Sequence, residues 1–133
     1  MKRYLVLLLI LALVVVGIGN AVAAPRKVSL TFWSWRTEDI QAYEGFIKQF
    51  NRKHPEITVE FIPYKNTEYN TILSTALQGG SGPDIIQLRA YGGMEALANA
   101  GYLLALDGKV PELKNFGSDV LLGATSRRDG EIY

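Results

Sequence analysis

Cysteine is absent from the 133 residues of this chain, and histidine occurs once, at His54. Without cysteine there is no disulfide, no thiolate nucleophile and no cysteine-ligated zinc. One imidazole and no thiol cannot assemble a histidine-based metal site within the chain. An excess of charge of one sign is also lacking, because 14 Lys and Arg stand against 13 Asp and Glu. So balanced a surface carries no basic stripe to neutralise phosphates, which excludes nucleic acid as an expected partner. Serine is present, but no nucleophile elbow surrounds it. Glu38, Asp39, Glu44 and Glu68 are dispersed over helical segments and read as helix-end and solvated charges, not as a catalytic pair. Nothing here calls for a cofactor.

The longest unbroken aliphatic run is Leu5 to Val16, twelve residues. A membrane-spanning helix needs roughly 20 apolar residues, and the run falls short even with Tyr4 and Gly17–Gly19 added. Lys2 and Arg3 precede it, Gly17 to Asn20 relax it, and Ala21-Val22-Ala23 places small residues at −3 and −1 of a cleavage site. That order is a secretory signal at residues 1–23, leaving 24–133 as one modest domain. Its removal takes away Lys2 and Arg3 and leaves 12 basic and 13 acidic side chains, a formal −1.

The mature part alternates between two periods. Val28 to Ser34 is rich in β-branched and aromatic residues and reads as a strand. Thr37 is placed to cap a helix, with Ile40, Tyr43, Phe46, Ile47 and Phe50 on one apolar face, ending at His54 before Pro55. Ile57–Ile62 is a second strand. A second helix starts near Thr67 with Tyr69, Ile72, Leu73, Ala76 and Leu77 inward, and Gly79-Gly80 stop it. Asp84–Leu88 is a third strand, and a short helix follows near Gly93–Ala100. Strand and helix in strict alternation predict an α/β fold, with a mainly parallel sheet flanked by helices. Beyond Gly101 the pattern weakens to a helix around Ser118–Ala124 and a turn at Arg128-Asp129-Gly130-Glu131, where Asp-Gly favours a hairpin.

In open parallel sheets ligands bind outside the carboxyl ends of the strands. That rule selects Trp35 and Arg36 after the first strand, Tyr64 after the second, and Arg89 and Tyr91 after the third. Aromatic rings suit the C–H faces of sugars, and a guanidinium fork suits directional polar contacts. Trp33, inside the strand pattern, reads as core. Gly79-Gly80-Ser81-Gly82 is no phosphate loop, because it follows a helix and opens a strand, and lacks the required Lys.

Taken in order, Leu30-Thr31-Phe32-Trp33-Ser34-Trp35, Phe50 to Val59, Ser74 to Leu88, Gly101-Tyr102-Leu103 and Asp129-Gly130-Glu131-Ile132-Tyr133 make the chain resemble the family 1 extracellular solute-binding proteins of ABC transporters. The resemblance implies a periplasmic-binding-protein-like lobe of a two-lobed carrier, truncated before the second lobe is complete. It implies a sugar or sugar-like solute as ligand, an inner-membrane ABC permease as partner, a monomer, and no enzymatic activity. By position it implies binding roles for Trp35, Arg36, Arg89 and Tyr91, with Glu38 added as a weaker candidate. Weak or no sugar binding is expected of these residues alone. The missing lipoprotein cysteine leads us to expect a free periplasmic protein. The alternation by itself also allows an exported α/β enzyme cut short, or a nonfunctional gene remnant. The leader reading predicts that the exported protein begins at Ala24. Intact-mass measurement of the secreted product checks this, and a product that retains Lys2 and Arg3 overturns it.

Overall fold

The computed structural model of the protein describes residues 26–133; the expected signal segment lies outside the described residues. Three parallel strands form one sheet in the order β2-β1-β3. The central strand β1 is Val28–Ser34, and β2 is Ile57–Pro63. They pair over their full length, from Val28 opposite Ile57 to Ser34 opposite Pro63. Pro63 lacks an N–H and closes β2.

On the other side of β1, β3 is Ile85–Ile86 alone, shorter than the Asp84–Leu88 strand expected. The cause is at its first residue. The Asp84 carboxylate accepts from the Thr31 N–H at 2.8 Å and from the Thr31 hydroxyl at 3.0 Å, and the Asp84 N–H returns a bond to that hydroxyl at 3.2 Å. A side chain therefore does the work of a ladder bond, and strand pairing begins one residue later. At the other end the Gln87 N–H still reaches the Trp33 carbonyl at 3.0 Å before the chain turns away.

The first helix, α1, is Ile40–Lys53, and a single 3-10 turn, Thr37–Asp39, leads into it. Thr37 does not cap it: Asp39 holds the N-cap position, and no side chain bonds the first turn. Tyr43 lays α1 on the sheet face that carries Phe32 and Phe61, with ring centroids 5.3 Å and 5.1 Å away. The expected apolar face is only partly covered. Ile40, Tyr43 and Ile47 are half-buried, whereas Phe46 is 65% exposed and Phe50 is exposed as well. Three strands give this helix a narrower seat than its apolar stripe.

The second helix, α2, is Asn66–Gln78, and the third, α3, is Gly92–Asn99. Both end in the same way. In α2 the Gly80 N–H bonds the Leu77 carbonyl and the Ser81 N–H bonds Ala76, with Gly80 at φ +68°. In α3 the Gly101 N–H bonds Ala98 and the Tyr102 N–H bonds Leu97, with Gly101 at φ +77°. This paired 5→2 and 6→1 closure needs a left-handed residue, which glycine adopts without a Cβ clash. The buried apolar residues among those described come from these two helices: Tyr69 and Leu73 from α2, Met94 and Ala98 from α3. No described helix is long and apolar enough to cross a membrane.

After α3 come a 3-10 turn at Pro111–Asn115, a short helix α4 at Ser118–Leu121, and a 3-10 turn at Leu122–Ala124. The Asp-Gly turn forms as expected: Gly130 takes φ +76°, and Thr125 bridges Ile132 in antiparallel fashion. Glu95 of α3 ties this hairpin to the helix layer, accepting from the Ser126 hydroxyl at 3.1 Å and the Arg127 N–H at 3.0 Å. The Arg128 guanidinium bonds Asp129 and holds its carboxyl down at about 2. The Thr31 N–H lowers Asp84, and the Arg127 N–H lowers Glu95.

These three carboxylates stabilise the fold only while ionised, because their folded pKa values lie below the unfolded ones. Their contribution is present above the ordinary carboxylate range and is lost as pH falls through it. For Asp129 the loss runs from 3.8 down to about 2. An acid titration followed by circular dichroism should show that loss, and Asp129→Asn should remove its lowest part. An identical acid limb in the variant contradicts this. Tyr69 gives a second expectation. Its hydroxyl donates to the Trp33 carbonyl at 3.2 Å and the Gln87 carbonyl at 3.0 Å. Tyr69→Phe leaves both acceptors short of their donor and should destabilise the chain by about 1–3 kcal/mol in urea unfolding. A midpoint equal to that of the parent counts against the assignment.

Candidate functional site

The carboxyl ends of β1, β2 and β3 converge, and one aromatic chain links them. Trp33 is half-buried and lies against Tyr64, with centroids 4.8 Å apart. Tyr64 follows β2 directly and is drawn to the end of β1 by its N–H, which bonds the Ser34 carbonyl at 2.8 Å. Tyr64 is 6.3 Å from Tyr69, and Tyr69 is 5.4 Å from Trp35. Burial pushes the Tyr69 hydroxyl up to about 12, so it remains a neutral donor at any physiological pH.

Ser34 sets where Trp35 goes. It is fully buried, donates through Oγ to Gln87 Oε1, and accepts from the Arg36 N–H at 2.9 Å. That local turn ends the strand and swings residue 35 out of the ladder. The Arg89 guanidinium then stacks over the Trp35 ring, 4.3 Å from its centroid. Two asparagines one turn apart on α2 hold the guanidinium: Nη2 donates to Asn66 Oδ1 at 2.6 Å and Nε to Asn70 Oδ1 at 3.3 Å. The first turn of α3 presses on the stem of Arg89 from below. A Cβ on Gly93 would sit 2.9 Å from Arg89 Cβ, so only glycine allows this approach. Beside the stack is a cavity of about 210 Å³ lined in part by Tyr69, Asn70, Gln87 and Arg89.

The structure thus brings together three of the six residues expected from sequence: Trp35 and Arg89 in direct contact, and Tyr64 through Tyr69. Arg36 and Glu38 face each other at 3.4 Å, and Arg36 also bonds Asp39, which raises the guanidinium further above its ordinary value. Among the described residues, the side-chain hydrogen bonds and ion pairs of this trio stay within it and do not reach Trp35 or Arg89. Tyr91 stands at the N-cap of α3 with φ +57° and ψ −119°, and is 53% exposed. A non-glycine residue at such a φ is strained. It is held by a 2.7 Å bond from its N–H to the Gly123 carbonyl. Its ring lies beside Gly123, where a Cβ would be 3.8 Å away.

Sequence reasoning missed Tyr69, Asn66, Asn70 and Gln87. Tyr69 was read as core, which it also is. Asn66 and Asn70 carried a usable signal, an i,i+4 pair of amides on one helix face. Gln87 carried another, a polar residue after two isoleucines in an apolar strand. No group of three or more potential metal ligands is found among the described residues.

Known proteins match this chain in sequence and fold. The bacterial extracellular solute-binding protein family matches residues 33–132. A protein of Streptomyces antibioticus, described as an uncharacterized lipoprotein in the oleD 5' region, is 29% identical over 92% of this chain and 27% of its own length. A family 1 extracellular solute-binding protein from Alicyclobacillus acidocaldarius superposes with a TM-score of 0.70 at 29% identity, over 83% of this chain and 28% of that one. RafE from Streptococcus pneumoniae shares the fold with a TM-score of 0.71 at 19% identity, over 84% and 27%. The chain therefore spans about a quarter of the length of the proteins it matches. The lipoprotein description of the Streptomyces relative conflicts with the expectation of a protein without a lipid anchor, which rested on the absence of cysteine. The match over residues 33–132, most of the chain, together with the parallel sheet and its aromatic tip, establishes that the chain belongs to the bacterial extracellular solute-binding proteins.

Proposed function

We propose that this chain supplies one lobe of the solute-capturing component of an ABC importer, acting outside the cytoplasmic membrane and binding a carbohydrate. The observation that carries this is the Trp35–Arg89 stack, 4.3 Å from ring centroid to guanidinium, at the carboxyl ends of a parallel sheet. An indole beside a guanidinium plane makes a flat, partly apolar surface with N–H donors at its rim. A sugar ring has the complementary character, with C–H faces and an equator of hydroxyls. Tyr64 extends the aromatic surface. In this reading Arg36 and Glu38, which follow β1, and Tyr91, at the N-cap of α3, are further ligand contacts outside the stack.

Proteins of this fold include RafE in complex with raffinose and a protein with mannotriose bound, at 19% and 21% identity. Those likenesses support the fold; the carbohydrate comes to this chain from the geometry of its own aromatic tip. In this reading the protein is a carrier, not a catalyst, and works as a monomer in the periplasm with an inner-membrane permease. Ligand binding favours a closed form through its higher affinity for that form, and the permease recognises it.

In the complete protein, Trp35→Ala should weaken carbohydrate binding by well over tenfold, because loss of a buried aromatic anchor costs about 2 kcal/mol or more. Calorimetric titration against a panel of mono- and oligosaccharides measures this. A dissociation constant unchanged by the substitution removes Trp35 from the site.

A further inference from the structure

We infer that the solute taken at this site is an acidic sugar, one whose anionic group is received by Arg89. The inference rests on the carbohydrate reading above and narrows it.

Arg89 is half-buried, and its partners among the described residues are all neutral. They are the Trp35 ring and the amide oxygens of Asn66 and Asn70. Arg36 and Arg128, by contrast, each face a carboxylate. The acidic side chains on the elements around Arg89 are committed elsewhere. Glu38 and Asp39 pair with Arg36, and Glu68 pairs with Lys65 at 3.8 Å. Asp84 is closed on Thr31, and Glu95 holds Ser126 and Arg127. Residues 1–25 contain no Asp or Glu, so within this sequence they bring no carboxylate to Arg89.

A guanidinium drawn partly out of water without a counter-charge is costly to hold. Stacking on the indole and two amide contacts offset part of that cost but leave the charge in place. They also leave part of its donor fork open, since two of its five N–H groups are taken. A planar fork with unused donors, full charge and fixed orientation matches a carboxylate or phosphate better than a neutral hydroxyl. Both anions share that chemistry, and a uronic acid or a sugar phosphate would bring it.

The test uses the complete protein and ligands of matched size: glucose, glucuronate and glucose 6-phosphate, and trigalacturonate beside a neutral trisaccharide. Calorimetry should show the acidic members binding at least tenfold more tightly than their neutral partners. Glucuronate against glucose 6-phosphate then tells carboxylate from phosphate. Arg89→Gln should abolish the preference, and Arg89→Lys should keep part of it, since the charge remains while the fork is lost. Circular dichroism of both variants verifies folding, and if Arg89→Gln unfolds, Arg89→Lys and the ligand series still decide. Neutral sugars that bind as tightly as acidic ones overturn the inference and leave the carbohydrate function standing. Failure of every sugar, neutral or acidic, overturns both.

Discussion

One proton holds the carboxyl end of the sheet together. The Tyr69 hydroxyl is buried and shares its single hydrogen between the carbonyls of Trp33 and Gln87. Those carbonyls lie near the carboxyl end of β1 and one residue past β3, so the bond ties helix α2 to two neighbouring strands at once. Burial keeps the phenol protonated, and a deprotonated oxygen could not donate at all. The ring attached to that hydroxyl is the floor on which Tyr64 and Trp35 stand. Asn66 and Asn70 flank Tyr69 on the same helix and therefore arrive at Arg89 in fixed positions. Packing, hydrogen bonding and the placement of the candidate site are consequences of one side chain's location.

Around that anchor the site is assembled by neutral groups acting on one cation. The indole of Trp35 contributes its ring face, and the asparagines contribute amide oxygens. Glycine at position 93 contributes absence, since any Cβ there would strike the stem of Arg89. The buried Ser34–Gln87 contact fixes the turn that sends Trp35 outward. The nearby acids are tied to structural tasks, joining β3 to β1 through Asp84 and the C-terminal hairpin to α3 through Glu95. Among the described residues, these structural carboxylates and Arg89 are thereby kept apart.

Much of the fold was legible along the chain. β1 and β2 carry seven residues each of β-branched and aromatic character, and their bounds were readable from Pro63 and from the turn after Ser34. Gly80 and Gly101 announced the ends of α2 and α3 because only a left-handed residue closes those helices. The Asp129-Gly130 hairpin was legible for the same reason. β3 was over-read, because the Asp84 side chain substitutes for a ladder bond and no periodicity reveals that. The apolar stripe of α1 was over-read as well, since Phe46 repeats at helical spacing but no strand lies beneath it. At the site, position relative to strand ends brought out Trp35, Tyr64 and Arg89. It gave no sign of which of the strand-end residues touch, or that Arg36 and Glu38 turn toward each other.

The sequence by itself determined the alternation of strand and helix, the near-neutral charge, the lack of any thiol in these residues, and where β1 and β2 end. These are local properties, set by side-chain period, by glycine's freedom at positive φ and by residue type. Only the tertiary structure decided which strand-end residues meet. The pairing of Trp35 with Arg89 joins residues that follow separate strands, and Asn66 and Asn70 reach Arg89 from a helix between them in the chain. Contacts across such separations depend on sheet order and on how a helix seats against its strands, and neither is written in any local pattern.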